Sequence, residues 1–176
     1  MNNQFIQGVM FDWNRIDNDS YLKSIEAFKG IEKLDFNKSI TFFVGENGSG
    51  KSTLLEALAV AHGFNPEGGT KRESFLALAQ NHLHPNGLYL FDEPEAALSP
   101  QRQLTLLMQI HSCAKEGAQF IIVTHSPILL GIPDADIYCF DNGRIHLCEY
   151  EDTESYQITE MFINNRQMLL DRLLTD

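Results

Sequence analysis

The segment Gly45-Glu46-Asn47-Gly48-Ser49-Gly50-Lys51-Ser52 constrains this chain more than any other part of it. It matches GxxxxGK[ST] in full, and it stands in the setting that the pattern requires. Before it, residues 40–44 form a short unbroken apolar run with Thr41 and two phenylalanines, the pattern of a strand buried on both faces. After it, Leu54, Leu55, Leu58 and Ala59 fall at helical spacing over residues 51–62, and Gly63 supplies a stop. Strand, glycine-rich turn and helix in that order make a cradle for phosphate. The glycines let successive N–H groups turn inward, and the helix N-terminus adds partial positive charge at the same point. Lys51 is expected to reach the β- and γ-phosphates, and the Ser52 hydroxyl to ligate Mg²⁺. The expected nucleotide contacts are Gly45, Glu46, Asn47, Gly48, Ser49, Gly50, Lys51, Ser52 and Thr53, and the expected ligand is ATP with Mg²⁺. The bland alternative, a glycine-rich turn before a charged helix start, fits the motif and its context less well.

The remaining pattern predicts an α/β chain. Residues 5–13 read as a first strand, and residues 25–36 as another strand or a bent pair. Residues 64–72 read as a loop and 73–82 as a helix. Residues 88–91 and 120–123 are further buried strands. Ser99 and Pro100 open a helix with a hydroxyl cap and a proline at its first position, and Gly117 closes it. Asp141-Asn142-Gly143 is a tight hairpin turn between residues 137–140 and 145–150. From Ser155 the spacing is helical to the end. Strands alternating with helices imply a mostly parallel sheet covered on both faces, with ligands at the carboxyl ends of its strands. Antiparallel elements are expected at the N-terminus and over 137–150.

Two further segments end strands in chemistry-bearing residues. Leu88-Tyr89-Leu90-Phe91 runs into Asp92 and Glu93. A carboxylate at a strand tip can meet Mg²⁺ on bound phosphates, here from Asp92 through metal-bound water. Glu93, on the other face of an extended chain, is placed to polarise an attacking water as general base. The strand over 120–123 ends in Thr124-His125-Ser126, and His125 there could sense a γ-phosphate. The competing explanations are a strand that merely ends in a polar loop and a structural histidine. His62, His82, His84, His111 and His146 lack a spacing that points to a metal.

The 176 residues argue for a single domain, and 43% apolar content is enough to bury a core. A net charge of −11 makes nucleic acid or an anionic membrane a poor default partner. Cys113, Cys139 and Cys148 are odd in number and form no CxxC pair, so reduced thiols are expected instead of a disulfide or a zinc site. The polar start and the lack of an 18-residue apolar run predict a cytoplasmic chain without membrane insertion.

Taken together, residues 45–52, LYLFDEPE at 88–95, Ala97-Leu98-Ser99 and THS at 124–126 resemble the ABC-type ATPases in content and order. That family includes transporter nucleotide-binding domains and the ATPase heads of chromosome-maintenance and DNA-repair proteins. The likeness covers roughly residues 36–150. The segment DEPEAALSP followed by Gln101-Arg102-Gln103 is most like small stand-alone bacterial ATPases. The resemblance implies a P-loop NTPase core and phosphate and Mg²⁺ binding by residues 45–52. It also implies Asp92 as the magnesium-organising acid, with Glu93 as catalytic base and His125 as the switch. It further implies an ATP-dependent head-to-tail homodimer that drives a protein partner. A module that binds ATP with little hydrolysis, or a DNA-repair head, is the alternative; acidic charge and missing coiled-coil heptads weigh against the latter.

The chain departs from the family in several places. Only 39 residues separate Ser52 from Asp92, where the family carries a helical subdomain of many tens of residues. Its Ser-Gly-Gly signature is replaced by Thr70-Lys71-Arg72-Glu73-Ser74, and Gln80 lies on the wrong side of that position to serve as a glutamine loop. Either the chain is a natural minimal form, or an internal segment near residues 65–72 is missing from this sequence. Ser99 stands where many transporters have Asp. Tyr21 and Phe28 are the candidates for stacking on adenine.

Overall fold

The computed structural model describes residues 4–64 and 83–174. The expected loop from residue 65 onward, the helix over 73–82 and the signature-like residues 70–74 lie outside the described residues.

Over the described residues the elements are β1 (Gly8–Met10), β2 (Lys33–Asp35), β3 (Ile40–Gly45), α1 (Lys51–Ala61), β4 (Leu88–Asp92), α2 (Pro100–Lys115) and β5 (Gln119–Val123). There follow α3 (Pro127–Leu130), β6 (Ala135–Asp141), β7 (Arg144–Leu147), α4 (Glu154–Asn164) and α5 (Arg166–Leu174). The main sheet has the order β4-β5-β3-β6-β7, parallel except for β7, and β1 and β2 pair antiparallel beside it. This is the expected P-loop NTPase architecture, a mostly parallel sheet between helices.

Alternation along the central strands divides the core in two. Phe42, Val44, Phe120 and Ile122 meet Leu106 and Ile110 of α2 and Leu129 of α3 on one face. Phe43, Ile121 and Val123 meet Leu54, Leu55 and Leu58 of α1, with Phe28 and Phe36, on the other. Both faces are sealed, so β3 and β5 are mostly apolar instead of alternating, and their polar residues Thr41 and Gln119 are themselves buried. The helix signals act as expected. Ser99 Oγ accepts from the Arg102 N–H at 3.4 Å, and Gly63 and Gly117 take φ of 75° and 106° just past the ends of α1 and α2.

Several expectations need correction. Residues 5–13 form only the three-residue β1, and 25–36 split into a 3₁₀ turn (Glu26–Phe28) and β2. Strand β4 is half-buried because it lies at the edge of the main sheet among the described residues. The C-terminal helical run breaks at Asn165 into α4 and α5, which leave Ile158, Met161, Phe162, Ile163 and Met168 exposed. Cys139 and Cys148 are joined by a disulfide, contrary to the expectation of reduced thiols; only Cys113 is free. The hairpin register, which a cysteine count does not see, brings them together.

Candidate functional site

The sheet order assembles the site. In register, Asp92 of β4 lies beside Val123 of β5, and Val123 lies beside Phe43 of β3. The three segments singled out from the sequence therefore leave the sheet at the same carboxyl edge, although β5 follows β4 in the chain and is inserted between β4 and β3 in space.

The loop after β3 curls as its glycines allow. Gly45, Gly48 and Gly50 have φ of 140°, 83° and 101°. Gly45 has a second constraint, since a Cβ there would lie 2.4 Å from the Phe140 carbonyl oxygen of β6. Lys51 starts α1 and is buried. Its Nζ donates to the carbonyls of Gly45 and Glu46, both at 2.7 Å. Burial lowers the proton affinity of this amine, and the charges of Glu93 and Asp92 partly restore it. The loop thus brings a cation back over its own concave side.

Ser52 Oγ donates to Asp92 Oδ1 at 3.2 Å. Partial desolvation in the cleft raises the Asp92 pKa, although the residue is exposed at the end of β4; the Ser52 hydrogen bond opposes this and the neighbouring Glu93 charge adds to it. A hydroxyl and a carboxylate oxygen at this distance form a hard-donor pair suited to Mg²⁺, which keeps several waters and takes few protein ligands.

Glu93 does not continue the strand as the sequence pattern implied. Its φ is 46°, in the left-handed region, while its N–H donates to the Val123 carbonyl at 2.9 Å. Strand alternation therefore stops at Asp92, and the turn itself aims the Glu93 side chain. Glu93 Oε1 lies 3.7 Å from His125 Nε2, and both side chains are half-exposed. His125 is held by its backbone, whose N–H donates to Glu95 Oε1 at 2.8 Å. Ser126, next along, caps α3 and donates from Oγ to Gln103 Oε1 of α2 at 2.6 Å. Sequence reasoning missed Glu95 and Gln103 as supports, although both lie in the DEPEAALSPQRQ segment.

Two cavities flank the loop. One of about 790 Å³ is lined by residues 45–49, His125, Tyr21 and Glu26, and by the hairpin residues Asp141 to Gly143. The other, about 320 Å³, has Thr53 among its lining beside Phe11, Trp13 and Leu22. Phe11 and Trp13 stack there with ring centroids 5.6 Å apart. Of the two aromatics proposed for adenine, Phe28 is a core residue at 1% exposure, and Tyr21 is exposed at the rim of the larger cavity.

Comparison with known proteins gives two likenesses. A family model described as an AAA domain matches residues 21–103, which include the phosphate loop and the Asp92–Glu93 strand end. The hemin import ATP-binding protein HmuV of Pseudomonas aeruginosa is 32% identical over 83 residues. Over this stretch the chain is similar to both. The match to HmuV covers 46% of this chain and 32% of that protein, so the chain spans about a third of the length of the curated relative it matches. Among the described residues, no helix is long and apolar enough to cross a membrane.

Proposed function

We propose that the chain binds MgATP at residues 45–52 and hydrolyses it, alternating between an ATP-bound head-to-tail homodimer and separate chains so as to drive a protein partner. The convergence of Lys51, the Ser52–Asp92 pair and the Glu93–His125 pair at one sheet edge carries this reading. Ser52 and Asp92 would hold Mg²⁺, Asp92 through metal-bound water; the cation, when bound, neutralises charge on the phosphate oxygens. Lys51 exchanges its loop carbonyls for β- and γ-phosphate oxygens. Glu93 accepts the proton of a water whose oxygen bonds to the γ-phosphorus. The bond from that phosphorus to the bridging oxygen breaks, and its electron pair leaves with ADP. His125 holds the Glu93 carboxylate and the γ-phosphate in line. Thr53 adds a hydroxyl beside the phosphates, and the stacked Phe11–Trp13 wall next to it offers a flat apolar surface to the base.

The second reading is a switch module that binds ATP with little hydrolysis. Lys71 and Arg72, where the resembled family has small signature residues, favour it, because bulk there obstructs close backbone approach to a neighbour's γ-phosphate. Turnover per chain against protein concentration separates the two. A dimerising ATPase rises with concentration, and a switch stays flat and slow. In the first case Glu93→Gln retains ATP binding and loses about 10²-fold or more of turnover; wild-type turnover in that variant would overturn the base assignment.

A further inference from the structure

The hairpin of β6 and β7 carries a second constellation, apart from the nucleotide chemistry. Along β6, Cys139 and Asp141 are two residues apart; along β7 and just beyond it, His146 and Cys148 are two apart. Side chains two apart on a strand share a face. The antiparallel register sets Cys139 opposite His146 and Asp141 opposite Arg144, and the Cys148 N–H donates to the Ile137 carbonyl at 3.0 Å. A pattern CxD…HxC folded about the Asn142-Gly143 turn therefore gathers four side chains with metal-binding atoms on one face. The ligand atoms of Cys139, Asp141 and His146 all lie within 4.8 Å of one another. Cys148 is not one of those three, but its sulfur is bonded to that of Cys139 and so lies next to the group.

His146 makes this more than a disulfide with polar neighbours. Its Nδ1 is sealed from solvent and makes no hydrogen bond. It faces Asp141 Oδ1 at 3.5 Å, beyond a good hydrogen bond. A buried imidazole nitrogen normally has a partner. Here a ligand shared with the carboxylate and the sulfurs would supply one.

We propose that the reduced β6–β7 hairpin is a metal site that takes a zinc-class divalent cation through Cys139, Cys148 and His146, with Asp141 as fourth ligand, and that the Cys139–Cys148 disulfide closes it. The donor set decides the class of metal. Two thiolates, an imidazole and one carboxylate suit tetrahedral zinc and do not suit Mg²⁺, which takes hard oxygens. The redox step balances with a dithiol reductant. Two electrons and two protons pass to the Cys139–Cys148 bond, giving two thiols, while the reductant closes to its own disulfide. Metal binding then displaces the two thiol protons, since the thiolate is the ligand. In the disulfide neither sulfur carries the negative charge that a zinc ligand needs.

The test uses the full chain free of nucleotide, because ATP itself binds divalent metals. One sample is reduced with a dithiol and freed of it under inert gas; the other stays oxidised. Each is titrated with Co²⁺, followed by thiolate-to-cobalt charge transfer and tetrahedral d–d absorption, and with Zn²⁺ against a chromogenic chelator. The reduced chain should take up one equivalent with both cobalt signatures, and the oxidised chain none at this site. The double variant Cys139→Ser/Cys148→Ser should lose the thiolate band. Cys113→Ser should leave uptake unchanged. His146→Ala keeps both thiols and changes a half-exposed side chain, so it guards against misfolding of the serine variants. It should weaken zinc by at least the roughly tenfold that loss of even an outer-shell partner costs. Absence of stoichiometric uptake by the reduced chain would overturn the proposal. So would equal uptake by the oxidised chain, or unaltered affinity in His146→Ala.

Discussion

The left-handed backbone at Glu93 makes a prediction that separates geometry from chemistry. A residue with a Cβ at φ 46° bears a cost of about 1–2 kcal/mol that glycine does not. Glycine in turn gives the unfolded chain extra freedom worth about 0.4–1 kcal/mol. The strain relieved in the folded chain outweighs that freedom, so Glu93→Gly should be more stable than Glu93→Ala by about 1 kcal/mol. Both variants lose the carboxylate and its 3.7 Å approach to His125, so that contact cancels in the comparison. For a chain of this size the difference corresponds to about 2–4 °C in Tm. The assay is thermal or urea unfolding of the two variants without nucleotide, with ATP turnover measured alongside. Both should be inactive to within about 1% of wild type. If Glu93→Gly melts at or below Glu93→Ala, the turn is not strained and the aiming of Glu93 has another cause.

Asp92→Asn removes an exposed carboxylate whose proton affinity is raised by partial desolvation and by the neighbouring Glu93 charge, an effect that solvent screening keeps small. A folded-state pKa above the unfolded one means that the native chain holds this proton more tightly, so the group's contribution to stability falls as pH rises through that window. The nucleotide-free variant should therefore be at least as stable as wild type near pH 7, with the difference vanishing below the ordinary carboxylate range, while Mg²⁺-dependent ATP binding is lost. A variant markedly less stable near pH 7 would contradict this. Gly45→Ala should destabilise by roughly 2–3 kcal/mol in urea unfolding, because its Cβ would meet a fixed backbone oxygen of β6 at 2.4 Å; a neutral change would show that β3 and β6 can part there.

The site is legible in the sequence where local chemistry and local geometry coincide. Residues 45–52 announce a curled loop because Gly45, Gly48 and Gly50 supply the positive φ that it takes, and Ser99, Pro100 and Gly117 mark helix ends through their own side chains or φ. The Asn142-Gly143 turn is visible for the same reason, with φ of 47° and 71° at its two central residues. What escapes depends on non-local pairing. No periodicity reveals that β5 lies between β4 and β3, and three-residue strands such as β1 and β2 are too short to show alternation. Strand alternation misdirects Glu93 because it does not hold past the last paired residue. A cysteine count misjudges the thiols because it ignores register; alternation along the two arms of the hairpin puts Cys139, Asp141, His146 and Cys148 on one face.

The central claim is that residues 45–52 hold the phosphates of MgATP, with Lys51 as their principal charge. Titration calorimetry of MgATP into wild type and Lys51→Ala tests it most directly. Loss of a charge-assisted hydrogen bond of about 1.5–3 kcal/mol predicts affinity weaker by roughly 10- to 160-fold. Equal affinity in the two proteins would contradict the claim and place the nucleotide away from Lys51.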